Sequence, residues 1–261
     1  MRQVDMTRLD LSAGTATKMR DWVAEEVPLK ITVNSEYTFV IWCSPMQFKE
    51  LAVGHLYAEG ILHSIDEIAE VTADEAKNVC YVQFKLEVDI DERMENRRRG
   101  ARIVPLLKAS TAAYQKDHKL SVVKSDFIVK AQVILDAIAQ MNEKAKGFRE
   151  TGGLHDSGIF RADGTLVAFS EDVGRHNTVD KVIGEALLNH LNFAECFMVI
   201  TGRVPGDMIY KAAKVGLPIL ASVAAVLNSG VASAEKANIS VVGFVRGKRM
   251  NVYTCPWRVQ L

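Results

Sequence analysis

The sequence predicts a layered α/β protein in which a smaller α+β unit precedes a larger strand–helix domain. Three observations carry this. The apolar runs CFMVI (196–200), PILASV (218–223) and ISVVGFV (239–245) alternate with short helical patterns, as expected of a sheet covered by helices on its faces. Phe127, Ala131, Ile134, Ile138 and Met141 recur at spacings of four and three, a core-facing helical stripe. Near the N-terminus, VPLKITV and YTFVIWC flank Asn34-Ser35-Glu36, the pattern of a β-hairpin. The chain is accordingly divided into a lead-in segment (1–26), an α+β unit (27–110), a linker (111–125) and an α/β domain (126–261).

In order, the weakly periodic residues 1–26 form the lead-in. After the hairpin, Ser44-Pro45 reads as a helix cap with proline at the first helical position. A helix over 46–59 follows, burying Phe48, Leu51, Ala52 and Leu56 and stopping at Gly60. His55 lies on or beside that face and is read as a core or half-exposed histidine. ILHSIDEIAEV leads to a strand over 78–88. DIDERMENRRRGAR is the strongest charge run; Arg97, Arg98, Arg99 and Arg102 could touch a phosphate, but a solvated, internally paired loop is the commoner meaning of such a run. Two strands flank Asp163-Gly164, a strong hairpin-turn signal. A helix then carries Val179, Val182, Ile183, Ala186 and Leu187 on one face. The helix over 207–215 ends at Gly216 with Pro218 just beyond, a short helix covers 229–237, and the last strand returns through Arg246–Arg249.

The 261 residues carry no formal net charge, so bulk charge supports neither nucleic-acid nor membrane binding, and an anion site would have to be a local cluster. The polar N-terminus lacks the apolar core of a secretory signal, and no apolar run approaches the roughly 20 residues of a membrane span. Cys43, Cys80, Cys196 and Cys255 are scattered. The first three sit in strand-like apolar surroundings and read as buried small hydrophobes, so no disulfide framework and a cytoplasmic setting are expected.

The densest polar stretch is Thr151–Lys181. Ligands of alternating α/β folds sit beyond the carboxyl ends of strands, where loops enter helices, and three such places carry cations: Arg175-His176, Arg203, and Arg246 with Lys248 and Arg249. A helix N-terminus offers free N–H groups and partial positive charge, and arginine grips phosphate bidentately; three such ends together read as an anion site. Gly152-Gly153 lets the backbone approach a ligand. There is no GxGxxG or Walker loop, no G-x-S-x-G and no zinc-deaminase signature. His155, Asp156, Glu171, Asp172 and His176 could supply a metal or acid–base set, but their spacing is not diagnostic and no metal is expected.

Together these pieces resemble the formate dehydrogenase accessory protein family (FdhD/NarQ). The residues that carry the resemblance are LAVGHLYAEGIL (51–62), TGGLH (151–155), EDVGRHNTVDKVIG (171–184), TGR (201–203), KAAKVGLPIL (211–220), GFVRG (243–247) and YT (253–254). The resemblance implies a C-terminal domain of cytidine-deaminase-like α/β fold without the deaminase zinc, beside a smaller N-terminal domain. It also implies a role in maturing formate dehydrogenase. A cysteine desulfurase supplies persulfide sulfur, which passes to the metal of bis-molybdopterin guanine dinucleotide, the molybdenum cofactor bound as client. The partners implied are the formate dehydrogenase apo-enzyme and a cysteine desulfurase, with a homodimer left open. The family's cofactor segment falls on Phe244, Val245, Arg246, Gly247, Lys248 and Arg249; Gly152, Gly153, His155, Arg175, His176, Lys181 and Arg203 complete the expected cofactor-binding set. The chain departs from the family's pattern in three places. Its C-G-x-C-G motif is replaced by Ser110–Gln115, S-x-S-A-P-T by Ser222–Leu227, and SGRxS by Thr201–Pro205. A persulfide relay needs a thiolate, and no cysteine lies between Cys80 and Cys196. Two functions follow: a maturation factor supporting cofactor sulfuration, or a chaperone of cofactor or apo-enzyme that transfers no sulfur.

Overall fold

The computed structural model describes residues 1–100 and 120–261, with side chains described up to residue 95 and from residue 120. The arginine cluster at 97–99 and 102, the Ser110–Gln115 loop and most of the 111–125 linker therefore lie outside the described residues or side chains.

Residues 1–26 are more ordered than weak periodicity suggests. β1 (Arg2–Asp10) and β2 (Thr15–Val23) pair antiparallel along their full length, from Arg2 opposite Val23 to Asp10 opposite Thr15. Both strands are mostly exposed, so no buried face imposes the period-two pattern that would have announced them.

The α+β unit is a four-stranded sheet in the order β4-β3-β6-β5. β3 (Val27–Val33) and β4 (Tyr37–Cys43) form the predicted hairpin. Its turn places Asn34 and Ser35 at φ 48° and 60°, the left-handed pair of a type I′ turn, and Asn34 Oδ1 accepts the Phe84 N–H at 2.9 Å. β5 (Ile68–Asp74) and β6 (Val79–Phe84) complete the sheet. α1 (Phe48–Ala58) covers one face with Phe48, Leu51, Ala52 and Leu56 buried. It starts later than Ser44-Pro45 predicts, because Ser44 is engaged elsewhere: its N–H donates to Asp172 at 3.0 Å and its Oγ accepts the Val173 N–H at 3.1 Å. The charge run read as a loop is instead a helix, α2 (Ile90–Gly100). Asp89 accepts the Glu92 N–H at 2.9 Å, an N-cap. Ile90 and Met94, one turn apart, are buried, and Glu92, Arg93 and Met94 are good helix formers.

The larger domain is a six-stranded mixed sheet, order β13-β12-β11-β10-β8-β9. β10 (Cys196–Ile200), β11 (Ile219–Ser222) and β12 (Ser240–Arg246) run parallel. β8 (His155–Arg161), β9 (Leu166–Asp172) and β13 (Arg249–Val252) are antiparallel additions. A two-stranded parallel piece joins β7 (Val129–Lys130) to β14 (Val259–Gln260). Both faces of the large sheet are covered, which explains its unbroken apolar runs. Met198, Ile200, Leu220 and Val241 meet α5 (Arg175–Leu188), α6 (Gly206–Val215) and α7 (Asn228–Ala237) on one face. Phe197, Val199, Ala221 and Val242 meet α3 (Ala131–Lys144) on the other. α3 gives way at Ala145 to a short helix, α4 (Lys146–Thr151), which ends in the left-handed Gly152. The segment before α3 packs onto the same domain: the Val123 N–H donates to the Ala237 carbonyl at 2.8 Å, and the fully buried Arg258 donates to the carbonyls of Asn238 and Ser125.

The two units meet through α1 and α5, which cross at Gly54 and Gly184. A Cβ on Gly54 would lie 1.8 Å from the Asp180 carbonyl oxygen, and one on Gly184 would lie 1.9 Å from that of Glu50. Only hydrogens fit there, so these glycines set how closely the units dock.

Candidate functional site

The parallel strands β10, β11 and β12 end at one edge of the sheet, and the antiparallel pairings bring the start of β8 and the end of β9 to the same edge: Ile200 lies opposite Ser157, and His155 opposite Asp172. A cavity of about 680 Å³ opens there. That is within the usual range for a small-molecule site, at the place where sheets of this class bind ligands. Its rim is Gly152 and Gly153, its polar lining comes from His155, Asp156, Thr201 and Arg246, and Ile138, Phe148, Val223 and Val245 line it with apolar surface.

Local structure aims these groups. The β12–β13 register shifts between Gly243 and Arg246, and within that bulge Phe244 takes φ 51°. A bulge re-aims the residues that follow it: Val245 is buried, while Arg246 reaches the cavity with its Nε donating to the Val223 carbonyl at 2.9 Å. Thr201 stands at the end of β10, where its Oγ1 accepts the Asp156 N–H at 2.9 Å and meets His155 Nδ1 at 3.3 Å. Burial first, and then the positive charge of Arg175, push the His155 imidazole below its ordinary value. Asp156 faces Glu171 across the β8–β9 pair. Glu171 accepts the Gly147 and Phe148 N–H groups at 3.1 and 2.8 Å, whereas Asp156 Oδ1 is buried with no donor against it. Burial, then the Glu171 charge and carboxyl–carboxyl contact, push Asp156 up to about 7.

Of the residues singled out in the sequence, Gly152, Gly153, His155, Val245, Arg246 and Gly247 line this cavity together. The others stand elsewhere. Lys181 is fully buried with its ammonium 2.7 Å from Asp172, so it holds the junction between the units and does not face the cavity. His176 Nε2 lies 2.9 Å from Asp207 Oδ2, which ties that imidazole to α6, and it does not line the cavity. Arg175 lies at the start of α5 with its stem packed on Gly202, where a Cβ would come within 2.9 Å of it, and its buried Nε has no partner. Phe244, Lys248 and Arg249 are exposed around the β12–β13 turn, and Arg203 is exposed beyond β10. Among the described residues no group of three His, Cys, Asp or Glu side chains is arranged to hold a metal. Thr201 stands in the sequence only within the TGR match and Asp156 only as one of five acid–base candidates, and neither belongs to the expected cofactor-binding set. An acid inside the otherwise apolar strand pattern DSGIF was the available signal for Asp156.

Fold and site together define an α/β protein with a glycine-rimmed, cation-bearing cavity at the carboxyl edge of its central sheet. The model of the FdhD/NarQ family matches residues 24–260, and the chain belongs to that family. It is 33% identical over 266 residues to the "Sulfur carrier protein FdhD" of Saccharolobus solfataricus, covering 99% of this chain and 98% of that one. The protein of the same name from Methanothermobacter thermautotrophicus is 33% identical over 258 residues, with 99% and 98% covered. The fold is that of a crystal structure described as a putative formate dehydrogenase accessory protein from Desulfotalea psychrophila, with a TM-score of 0.79, 24% identity, and 99% and 98% of the two chains covered.

Proposed function

We propose that this chain is a formate dehydrogenase accessory protein whose cavity holds part of the molybdenum cofactor, bis-molybdopterin guanine dinucleotide, and that it supports the sulfuration of that cofactor for maturation of the apo-enzyme. The observation that carries this reading is the convergence of Gly152-Gly153, His155 and Val245–Gly247 on one cavity. About 680 Å³ suits one nucleotide arm and leaves the rest of so large a cofactor outside. The glycine rim admits a pyrophosphate against the backbone, Arg246 supplies a fixed guanidinium for it, and the apolar wall of Ile138, Phe148 and Val223 suits a base face. The bound cofactor would bring the metal chemistry; the chain's own residues bind and orient it. The test is coexpression with a formate dehydrogenase in a host lacking its own accessory protein. Restored formate oxidation is expected, and Arg246→Ala should reduce it. No restoration by the parent chain would refute the reading.

A second reading is favoured by the thiols: cofactor or apo-enzyme chaperoning without sulfur transfer. Cys43, Cys80 and Cys196 are fully buried, and burial pushes their thiols up to about 12, 12 and 11, leaving almost no thiolate for a persulfide relay. The half-buried Cys255 lies at the opposite end of β12 from the cavity, its carbonyl accepting from Ser240 Oγ at 2.7 Å. Incubation with a cysteine desulfurase and sulfur-labelled cysteine separates the two readings. Label retained on any of the four cysteines supports sulfur transfer, and its absence supports the chaperone.

A further inference from the structure

Asp156 is 2% exposed, lines the cavity, and has an oxygen facing no donor. Its one close polar neighbour across the sheet is another carboxyl group, Glu171, which already takes two backbone N–H groups. Burial and the neighbouring Glu171 charge favour the protonated form of the Asp156 carboxyl. The remaining charged neighbours do not cancel this effect. The positive charge of Arg149 on α4 opposes it only weakly. His155, next along β8, is itself faced by Arg175, His176 and Asp172, and Arg246 closes the cavity from β12 with its Nε held by Val223.

We infer that a phosphate-bearing ligand enters this cavity together with one proton, taken up by the Asp156 carboxyl. The inference rests on the cavity being a phosphate site, as proposed above. A further anion beside Asp156 makes its ionised form still less favourable, so the bound complex retains a proton that the free protein loses as the solution becomes basic. The sign follows directly. Asp156 releases its proton near pH 7 in the free protein, so affinity is highest on the acid side and falls as pH rises through that value. If only the protonated Asp156 carboxyl accepts the anion, affinity falls about tenfold between about pH 6 and pH 8, the ratio of 1 + 10 to 1 + 0.1. The His155 imidazole, held below its ordinary value, titrates at lower pH.

The test is isothermal titration calorimetry with guanosine diphosphate mannose, whose pyrophosphate diester keeps its charge across this range. Measurements at about pH 7.5 in two buffers of different ionisation heat count the protons taken up by the unmodified protein. Uptake of a large fraction of a proton and roughly tenfold weaker binding at pH 8 than at pH 6 are expected. Asp156→Asn, which keeps the shape and removes the titration, should bind at the acid-side level throughout with no buffer dependence. Binding of equal strength at both pH values without proton uptake would overturn the inference and leave the proposed function standing. No binding at either pH would overturn both.

Discussion

Alanine at Gly54 tests the docking of the two units most directly, because local and tertiary physics predict opposite signs. In the middle of α1, glycine-to-alanine should stabilise the helix by about 1 kcal/mol. The new Cβ, however, would lie 1.8 Å from the Asp180 carbonyl oxygen and 2.6 Å from its carbon. Ordinary contact begins at 3.4 Å, so α1 and α5 must separate by 3.4 − 1.8 = 1.6 Å, and both atoms in conflict belong to backbone that cannot rotate away. Overpacking costs about 1–3 kcal/mol where side chains can adjust; this contact belongs at or above the top of that range. It also disturbs the neighbouring His55–Asp180 contact at 3.7 Å. Net of the propensity gain, the expected loss is about 2 kcal/mol or more, or about 4–8 °C in Tm for a chain of this size. Differential scanning calorimetry of Gly54→Ala beside the parent measures it. A variant melting at or above the parent would refute the idea that the glycine crossing sets the distance between units.

Three further predictions follow from buried charge and thiol burial. Arg93 beside Glu67, at 2.8 Å in a partly buried bidentate pair, holds that carboxylate down to about 2; its contribution is present above the ordinary value near 4.5 and is lost as pH falls toward 2. Glu67→Gln should therefore destabilise the protein by on the order of 2–3 kcal/mol at neutral pH and by much less at about pH 2, read from urea midpoints. Lys181→Met leaves Asp172 buried without its cation and should cost about 3–5 kcal/mol in the same assay; a loss under about 1 kcal/mol would mean the pair contributes little. In thiol titration with a disulfide reagent, Cys255 should react in the native protein, while Cys43, Cys80 and Cys196 should react only in denaturant, so that prompt native labelling of Cys196 would contradict its burial.

Sequence patterns revealed the elements whose periodicity is imposed by burial. The runs around Phe197, Leu220 and Val241 are apolar because both faces of the sheet are covered, and the Ile134–Met141 stripe is apolar because one helix face is. Where burial is slight, the pattern failed. The β1–β2 hairpin is exposed and left no alternation to read. α2 showed mainly its charges, with Ile90 and Met94 too few to mark a stripe. The site divided in the same way. Gly152, His155 and Arg246 stood out by residue type at strand ends, and they converge. Arg175, His176 and Lys181 looked equivalent in the sequence, but their destinations depend on which partner each meets: Gly202 and Asp207 well along the chain, and Asp172 at the end of the preceding strand. Asp156 matters only because Glu171 is its cross-strand neighbour, a fact of register that residue spacing does not carry.

Asp172 is the residue where the two units are tied. Its carboxylate accepts the Ser44 N–H from the smaller unit, the Gly174 N–H and the Asn177 side-chain amide at the start of α5, and pairs with Lys181. Ser44 in turn holds the N–H of Val173, a residue of the cavity wall. Separating the units would take the Ser44 N–H from the Asp172 carboxylate and the Ser44 carbonyl from the Lys181 ammonium, uncovering a buried ion pair at the same moment. The smaller unit therefore has no inexpensive way to unfold alone, and calorimetric and van't Hoff enthalpies should coincide in a single transition. The cavity wall keeps its shape for as long as the whole molecule stays folded.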